Sequence, residues 1–280
     1  MGNHPTWINT TMSNLNKEWI TKKINDLRIK PSRGNGQNFL INPKPIDTII
    51  AAGSVVAGDR VLEIGPGLGA LTEALLQAGA HVTAIEFDGK IAAYLKKTYA
   101  DNKNFEIYEG DVLEVATDEF LKNLGTYKII ANIPYHITSD IVRKFTESKL
   151  KPEVICLLVQ KEVAERLAAI PPNMSMLALF TQWFARVDYV ATVPRSYFMP
   201  APAVDSAIVR ITPRSEEEQS RGLLIDEQKK LFSLIKRGFS NPRKQLGNNI
   251  EHKSETSPID LKRRSETLTL EEWITLLRSL

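Results

Sequence analysis

The chain has 280 residues, 42% of them hydrophobic and 25% charged, a globular composition with enough apolar residues for a sizeable core. Its 36 Lys and Arg against 33 Asp and Glu leave a net charge of +3, too small by itself to indicate a nucleic-acid partner. The single cysteine, Cys156, excludes an internal disulfide, a zinc cluster and a cysteine nucleophile, and within Val-Ile-Cys-Leu-Leu-Val it reads as a core thiol. The longest apolar run, Val154 to Val159, is too short to cross a bilayer, and residues 1–35 show no apolar stretch ahead of a small-residue cleavage site. Both observations point to a cytoplasmic protein.

In chain order, Leu15, Trp19, Ile24 and Leu27 share roughly one helical face, which makes the N-terminal segment either a docked helix or a loose arm. From Arg60 onward, short β-branched runs alternate with helical patterns. The runs predict strands at 60–64, 81–87, 105–109, 127–132, 154–160, 187–193 and 207–212, the last two with alternating or edge character. The patterns between them predict helices near 70–78, 88–99, 139–147 and 161–169. After Ile211 the composition changes: Pro213 and the polar run that follows form a linker, and 226–238 and 270–280 read as amphipathic helices. The expected organisation is an N-terminal arm or helix at 1–35, an α/β domain at 36–212 and a small helical domain at 213–280.

Glu63-Ile-Gly65-Pro-Gly67-Leu-Gly69 follows the first of these strands and opens a helix, the setting in which close glycines let a ligand approach the backbone. A tight turn that needs glycine for steric reasons alone is the competing reading. Glu86 ends the next strand, near the position about 20 residues on where an acid accepts from ribose hydroxyls. Asp111 follows the third strand at the same edge, where it is either an acceptor for an adenine amino group or a helix cap. The Gly-x-Gly-x-Gly spacing differs from the Gly-x-Gly-x-x-Gly that wraps a pyrophosphate, and a carboxylate-rich turn tolerates a sulfonium better than phosphates. S-adenosylmethionine is therefore favoured over NAD.

Asn132-Ile-Pro134-Tyr135 ends the fourth strand. The exocyclic amine of adenine is a poor nucleophile because its lone pair is delocalised into the ring. An Asn side-chain oxygen together with a nearby backbone carbonyl can hold both N–H bonds and favour a pyramidal nitrogen. Pro134 adds no competing donor and stiffens the turn, and Tyr135 offers a face for a base. Phe198, in the proline-stiffened Tyr197-Phe-Met-Pro-Ala-Pro202, is placed either to press on that base or to pack as core. A plain β-turn with a packed Tyr is the competing reading of the tetrapeptide.

Together these segments, with Gly36-Gln-Asn-Phe-Leu40, Ile85-Glu86, Gly110-Asp111 and Phe198-Met-Pro-Ala-Pro-Ala-Val-Asp-Ser206, resemble the ribosomal small-subunit RNA adenine-N6 dimethyltransferase family. That family is similar in turn to the macrolide-resistance 23S rRNA methyltransferases. Arg243-Lys-Gln-Leu and Arg264-Ser-Glu-Thr-Leu-Thr-Leu-Glu-Glu272 are closer to the ribosome-biogenesis branch. The resemblance implies a Rossmann-like, seven-stranded S-adenosylmethionine-dependent methyltransferase domain with a small C-terminal helical domain. It implies transfer of methyl groups to N6 of two adjacent adenines near the 3′ end of 16S rRNA, giving N6,N6-dimethyladenosine.

Residue by residue, the resemblance implies that Asn38, Leu40, Gly65, Gly67, Glu86, Asp111 and Asn132 bind the cofactor, with Glu86 on the ribose and Asp111 on the adenine. Asn132, Pro134, Tyr135 and Phe198 would form the catalytic set, the two aromatics sandwiching the target base. The implied partner is small-subunit rRNA within an assembling 30S particle, met by a monomer without metal or membrane. Asn35, where the family has an apolar residue, and Asn241-Pro242, where a more basic run is common, depart from the pattern, and residues 1–30 have no matching segment. His136 reads as a loop histidine. Lys17, Lys22, Lys23, Arg28, Lys30 and Arg33, and then Lys229, Lys230, Lys236, Arg237, Arg243 and Lys244, form two basic groups suited to phosphates or simply to solvent. A non-catalytic RNA-binding factor, a large-subunit methyltransferase and an NAD-dependent oxidoreductase are the rival functions.

Overall fold

The computed structural model describes residues 15–31, 37–134, 137–250 and 257–280. Of the residues singled out above, Arg33, Asn35, Gly36, Tyr135 and His136 lie outside them. The chain divides into two compact units, one made of 1–164 and 188–212, the other of 165–187 and 213–280. The stretch 165–187, expected within the α/β domain, therefore groups with the second unit instead.

The first unit begins with α1 (Lys17–Asp26), β1 (Phe39–Leu40) and α2 (Lys44–Ala52). β2 (Arg60–Ile64), α3 (Ala70–Gln77), β3 (His81–Glu86), α4 (Gly89–Thr98) and β4 (Phe105–Glu109) follow. Two short helices, α5 (Val112–Val115) and α6 (Asp118–Leu124), lead to β5 (Lys128–Asn132), α7 (Thr138–Glu147) and β6 (Ile155–Gln160). The chain changes unit within α8 (Lys161–Leu167) and, after α9 (Met176–Phe184), again within β7 (Ala185–Val193). The short β8 (Phe198–Met199) precedes β9 (Ser206–Pro213).

The seven-stranded sheet has the order β4-β3-β2-β5-β6-β9-β7. β2 to β6 run parallel, and β9 pairs antiparallel with β6. Ile129, Ile130 and Ala131 of β5 and Ile155 to Val159 of β6 are all buried, as expected of strands covered on both faces. From β2 the chain moves to one side through β3 and β4, then crosses to the other side through β5 and β6. The point of reversal lies between β2 and β5, and at that point an open parallel sheet leaves a crevice beyond the carboxyl ends of its strands.

The predicted N-terminal segment is a docked helix: Ile20 of α1 is 1% exposed, and Leu15 and Ile29 on either side of it are buried in the same cluster. A feature absent from the sequence reading is a two-stranded ribbon, in which β1 pairs antiparallel with β8, Phe39 opposite Met199 and Leu40 opposite Phe198. Ile41 N–H extends it by donating to Tyr197 O at 2.8 Å. Asp205 fastens the incoming loop: its Oδ1 accepts from Arg195 N–H at 2.9 Å and its carbonyl from Lys161 N–H at 3.0 Å.

The second unit also holds α10 (Glu216–Ser220), α11 (Ile225–Gly238) and α12 (Leu270–Arg278) around Trp183, Leu231, Leu246 and Trp273. Thr269 and Glu272 cap α12 reciprocally, and Glu272 also pairs with Arg263. Among the described residues no helix is long and apolar enough to cross a membrane.

Removing the Asp205 acceptor loosens the loop without touching the sheet. In Asp205→Ala, amide exchange at 195–199 rises several-fold while β2 and β3 keep their protection. Unchanged exchange at 195–199 would show that strand pairing alone holds the loop.

Candidate active site

The edge formed by the carboxyl ends of β2, β3, β4 and β5 opens on a hollow of about 310 Å³. The turn after β2 is its floor. Gly65 and Gly67 have φ of +65° and +56°, backbone that glycine adopts without strain, and Gly65 N–H donates to Ile85 O at 2.9 Å. This bend brings β2 to β5: a Cβ on Gly65 would stand 3.9 Å from Asn132 O and 3.8 Å from Pro134 Cδ.

Glu86, at the end of β3, is 6% exposed. Its Oε2 accepts from Gly67 N–H at 3.2 Å and its Oε1 from Asp88 N–H at 2.9 Å, so the carboxylate is fixed before any ligand arrives. Burial raises its pKa, against the pull of those N–H groups, and the Asp88 charge adds to the rise. Asp111 accepts from Leu113 N–H at 2.8 Å and caps α5. It is thus both the helix cap of the alternative reading and a wall of the hollow. Asn132 Nδ2 donates to Asn38 O at 3.4 Å, which makes Oδ1 the half of the amide able to accept from an amine.

Every proposed cofactor residue, Asn38, Leu40, Gly65, Gly67, Glu86, Asp111 and Asn132, lines this one hollow, and so does Pro134. Tyr135 is outside the described residues. Phe198 departs from expectation: it does not line the hollow, and at 3% exposure it sits in the apolar cluster beside Leu40 with no open ring face. Of the lining residues that the sequence left without a role, three bear on the chemistry of the hollow. Ile20 lies at i, i+4 and i+7 with Ile24 and Leu27, a spacing that marks it as inward. Phe87 is 71% exposed at the rim directly after Glu86. Glu63, inside the glycine motif, is 1% exposed, with Oε2 accepting from the Thr72 hydroxyl at 2.6 Å and Oε1 without a partner among the described residues.

The sequence model of the ribosomal RNA adenine dimethylases matches residues 30–278. The chain belongs to that family. Among curated relatives, it is 38% identical over 256 residues to ribosomal RNA small subunit methyltransferase A of Dehalococcoides mccartyi strain CBDB1, spanning 88% of this chain and 87% of that one. It is 35% identical over 282 residues to the protein of the same name from Clostridioides difficile strain 630, spanning 95% and 96%. Two among the similar solved structures cover most of this chain. One is the 23S rRNA methyltransferase ErmE, with 25% identity, a TM-score of 0.72 and coverage of 87% of this chain and 99% of that one. The other is a dimethyladenosine transferase from Plasmodium falciparum, with 29% identity, a TM-score of 0.69 and coverage of 85% and 95%.

An adenine dimethylase draws its methyl groups from S-adenosylmethionine, and the hollow's donor set fits that molecule. Among the described residues, Glu63, Glu86, Asp88 and Asp111 bring four carboxyl groups to the lining, with no Lys, Arg or His. That favours a ligand carrying ammonium and sulfonium charge and disfavours a pyrophosphate. The unpartnered Glu63 Oε1 is a further polar atom that a cationic ligand would suit.

Burial, with the Glu86 charge added, outweighs the Thr72 hydrogen bond and pushes the Glu63 carboxyl up to about 8. Its folded pKa lies above the ordinary 4.5, so its contribution to stability is whole below that value and is lost as pH rises through about 8. Glu63→Gln keeps a hydrogen-bonding partner for Thr72 and removes the proton. The cofactor-free wild type should therefore lose melting temperature relative to the variant, by roughly 5 °C between about pH 6 and pH 9. A difference that stays constant with pH would mean that Glu63 is already ionised in the fold.

Proposed function

We propose that this enzyme methylates N6 of two adjacent adenines near the 3′ end of small-subunit rRNA, to the dimethyl stage, acting as a monomer on an assembling 30S particle. The observation that carries the reading is the meeting of the glycine turn, Glu86, Asp111 and Asn132 around one hollow at the reversal point of the sheet. Glu86 accepts from the ribose hydroxyls, Asp111 from the adenine amine, and the Asn38–Leu40 segment covers the cofactor. When bound, S-adenosylmethionine supplies a methyl group already activated on a sulfonium.

The remaining work falls to the chain's own groups, and it is alignment, which can lower a barrier by about 7–11 kcal/mol. Asn132 Oδ1 and a neighbouring backbone carbonyl would accept from the two N–H bonds of the target amine and so leave its lone pair free to face the methyl group. The alkylated amine is more acidic than its parent, so its proton passes to solvent without a dedicated base. Tyr135 and Phe198 hold the base between them, which requires the Phe198 ring to be uncovered as the base enters. In the second unit Lys229, Lys230, Lys236, Arg237, Arg243 and Lys244 are all exposed, and we assign them to phosphate contacts.

Small-subunit RNA is preferred because the relatives at 35–38% identity are named for that subunit. The similarity to ErmE keeps large-subunit RNA as the alternative. Undermethylated small and large subunits, incubated separately with labelled cofactor and mapped by nucleotide, decide between them: label in two adjacent small-subunit adenines supports the reading, and label confined to the large subunit overturns it. Asn132→Ala should leave cofactor affinity within about threefold of wild type while lowering methyl transfer at least a hundredfold, the size of effect seen when a positioned transition-state contact is lost. Undiminished turnover in that variant would remove Asn132 from the mechanism.

A further inference from the structure

Counted outward from β5, the sheet continues through β6 to β9. Asn132 stands opposite Leu158 of β6, and Gln160, the last residue of β6, stands opposite Ser206, the first of β9. The loop 194–205 that leads into β9 therefore emerges at the same edge as Asn132, on the side away from Glu86 and Asp111. Two strand spacings, about 10 Å, separate β5 from β9. That is comparable to the reach of a nucleotide from its phosphate to the far edge of its base.

A base that reaches Asn132 trails a phosphate behind it, and the two sides of this edge treat that charge differently. The cofactor side gathers Glu63, Glu86, Asp88 and Asp111, which repel it. On the other side the loop exposes Pro194, Arg195, Ser196, Ala201, Ala203 and Val204, and Arg195 is the loop's one cation.

Arg195 opens a single 3-10 turn, Arg195–Tyr197, that leads directly into Phe198. Its backbone N–H donates to Asp205 Oδ1 at 2.9 Å and its Nη1 to Ala203 O at 3.2 Å, so residue and guanidinium are both held across the mouth of the loop. Among the described residues the guanidinium forms no ion pair. Asp205, the loop's one acid, is engaged through the backbone N–H instead. A guanidinium oriented at Nη1, with its Nε and Nη2 donors turned to solvent, offers the planar fork that pairs with a phosphate.

We infer that Arg195 is a positioning residue which grips an RNA phosphate beside the adenine being methylated. The inference rests on the reading that the target adenine meets Asn132. The grip keeps the backbone outside the acid-rich hollow while the base enters. Because the same loop carries Phe198, a phosphate at Arg195 also binds the piece that must shift for that ring to be uncovered.

The test uses undermethylated ribosomal subunits of the kind that the wild type methylates. It reads their dissociation constant from the full chain loaded with S-adenosylhomocysteine over a series of salt concentrations, together with kcat for methyl transfer at saturating subunits. Arg195→Ala should bind about tenfold more weakly, the loss expected for a hydrogen bond to a charged group, and should lower kcat by no more than about threefold. The slope of log affinity against log salt should flatten by about one. Arg195→Lys keeps the charge, so it should restore the slope while binding more weakly than wild type for want of the fork. Lys97→Ala removes an exposed cation from the last turn of α4, at the opposite edge of the sheet, and should change neither quantity.

Wild-type affinity and slope in Arg195→Ala overturn the inference. Weaker binding with an unchanged slope, or a slope that Arg195→Lys does not restore, means that Arg195 acts through the packing of the loop, and the inference fails there too. Asn132→Ala, read alongside, separates the two claims: lost turnover with undiminished subunit binding leaves the base site standing whatever Arg195 does. Undiminished turnover in Asn132→Ala overturns the reading of the base site, and the inference with it.

Discussion

Parallel pairing is the constraint from which the site follows. β2, β3, β4 and β5 run in one direction, so every residue that ends one of these strands arrives at the same edge. Glu86 and Asp111 are far apart in sequence and attached to different helices, yet the sheet brings them to one hollow with Asn132. Gathering carboxyl groups there costs free energy, and the cost is visible in Glu63 and Glu86, both pushed toward their neutral forms by burial. A cationic ligand offsets that cost, which is a physical reason for such a site to prefer a sulfonium to a phosphate.

The ribbon of β1 and β8 adds a second kind of order. It joins the segment that covers the hollow, Asn38–Leu40, to the loop that carries Phe198, with Asp205 pinning the loop's entrance. The proposed cofactor cover and the candidate base-holding aromatic are thus parts of one hydrogen-bonded piece rather than two independent loops. In this arrangement Phe198 is closed into the core, so the ring's access to a base is a matter of how that piece opens.

β2, β3, β5 and β6 could be read from the amino acids because each is a short, mostly buried run of apolar residues, and β3 and β5 end in Glu86 and Asn132. The runs at 60–64 and 105–109 match the structure to the residue. The ribbon could not be read, because two-residue strands carry no periodicity and their pairing joins positions about 160 residues apart. The grouping of 165–187 with the helical unit was hidden for a related reason: α9 is apolar enough to suit either core, and only long-range contacts assign it. Asp111 shows how one residue can satisfy two readings at once, since capping α5 and facing the hollow use the same carboxylate. Ile20 stayed outside the helical face read from the sequence, Leu15, Trp19, Ile24 and Leu27, although its spacing with Ile24 and Leu27 carried the signal.

The most direct measurement is a crystal structure of the chain with S-adenosylhomocysteine. The account predicts a ribose held by Glu86, an adenine beside Asp111 and a sulfur lying between the Gly65 turn and the Asn132 amide. A ligand bound away from this edge, or an Asn132 side chain turned out of the hollow, would contradict it.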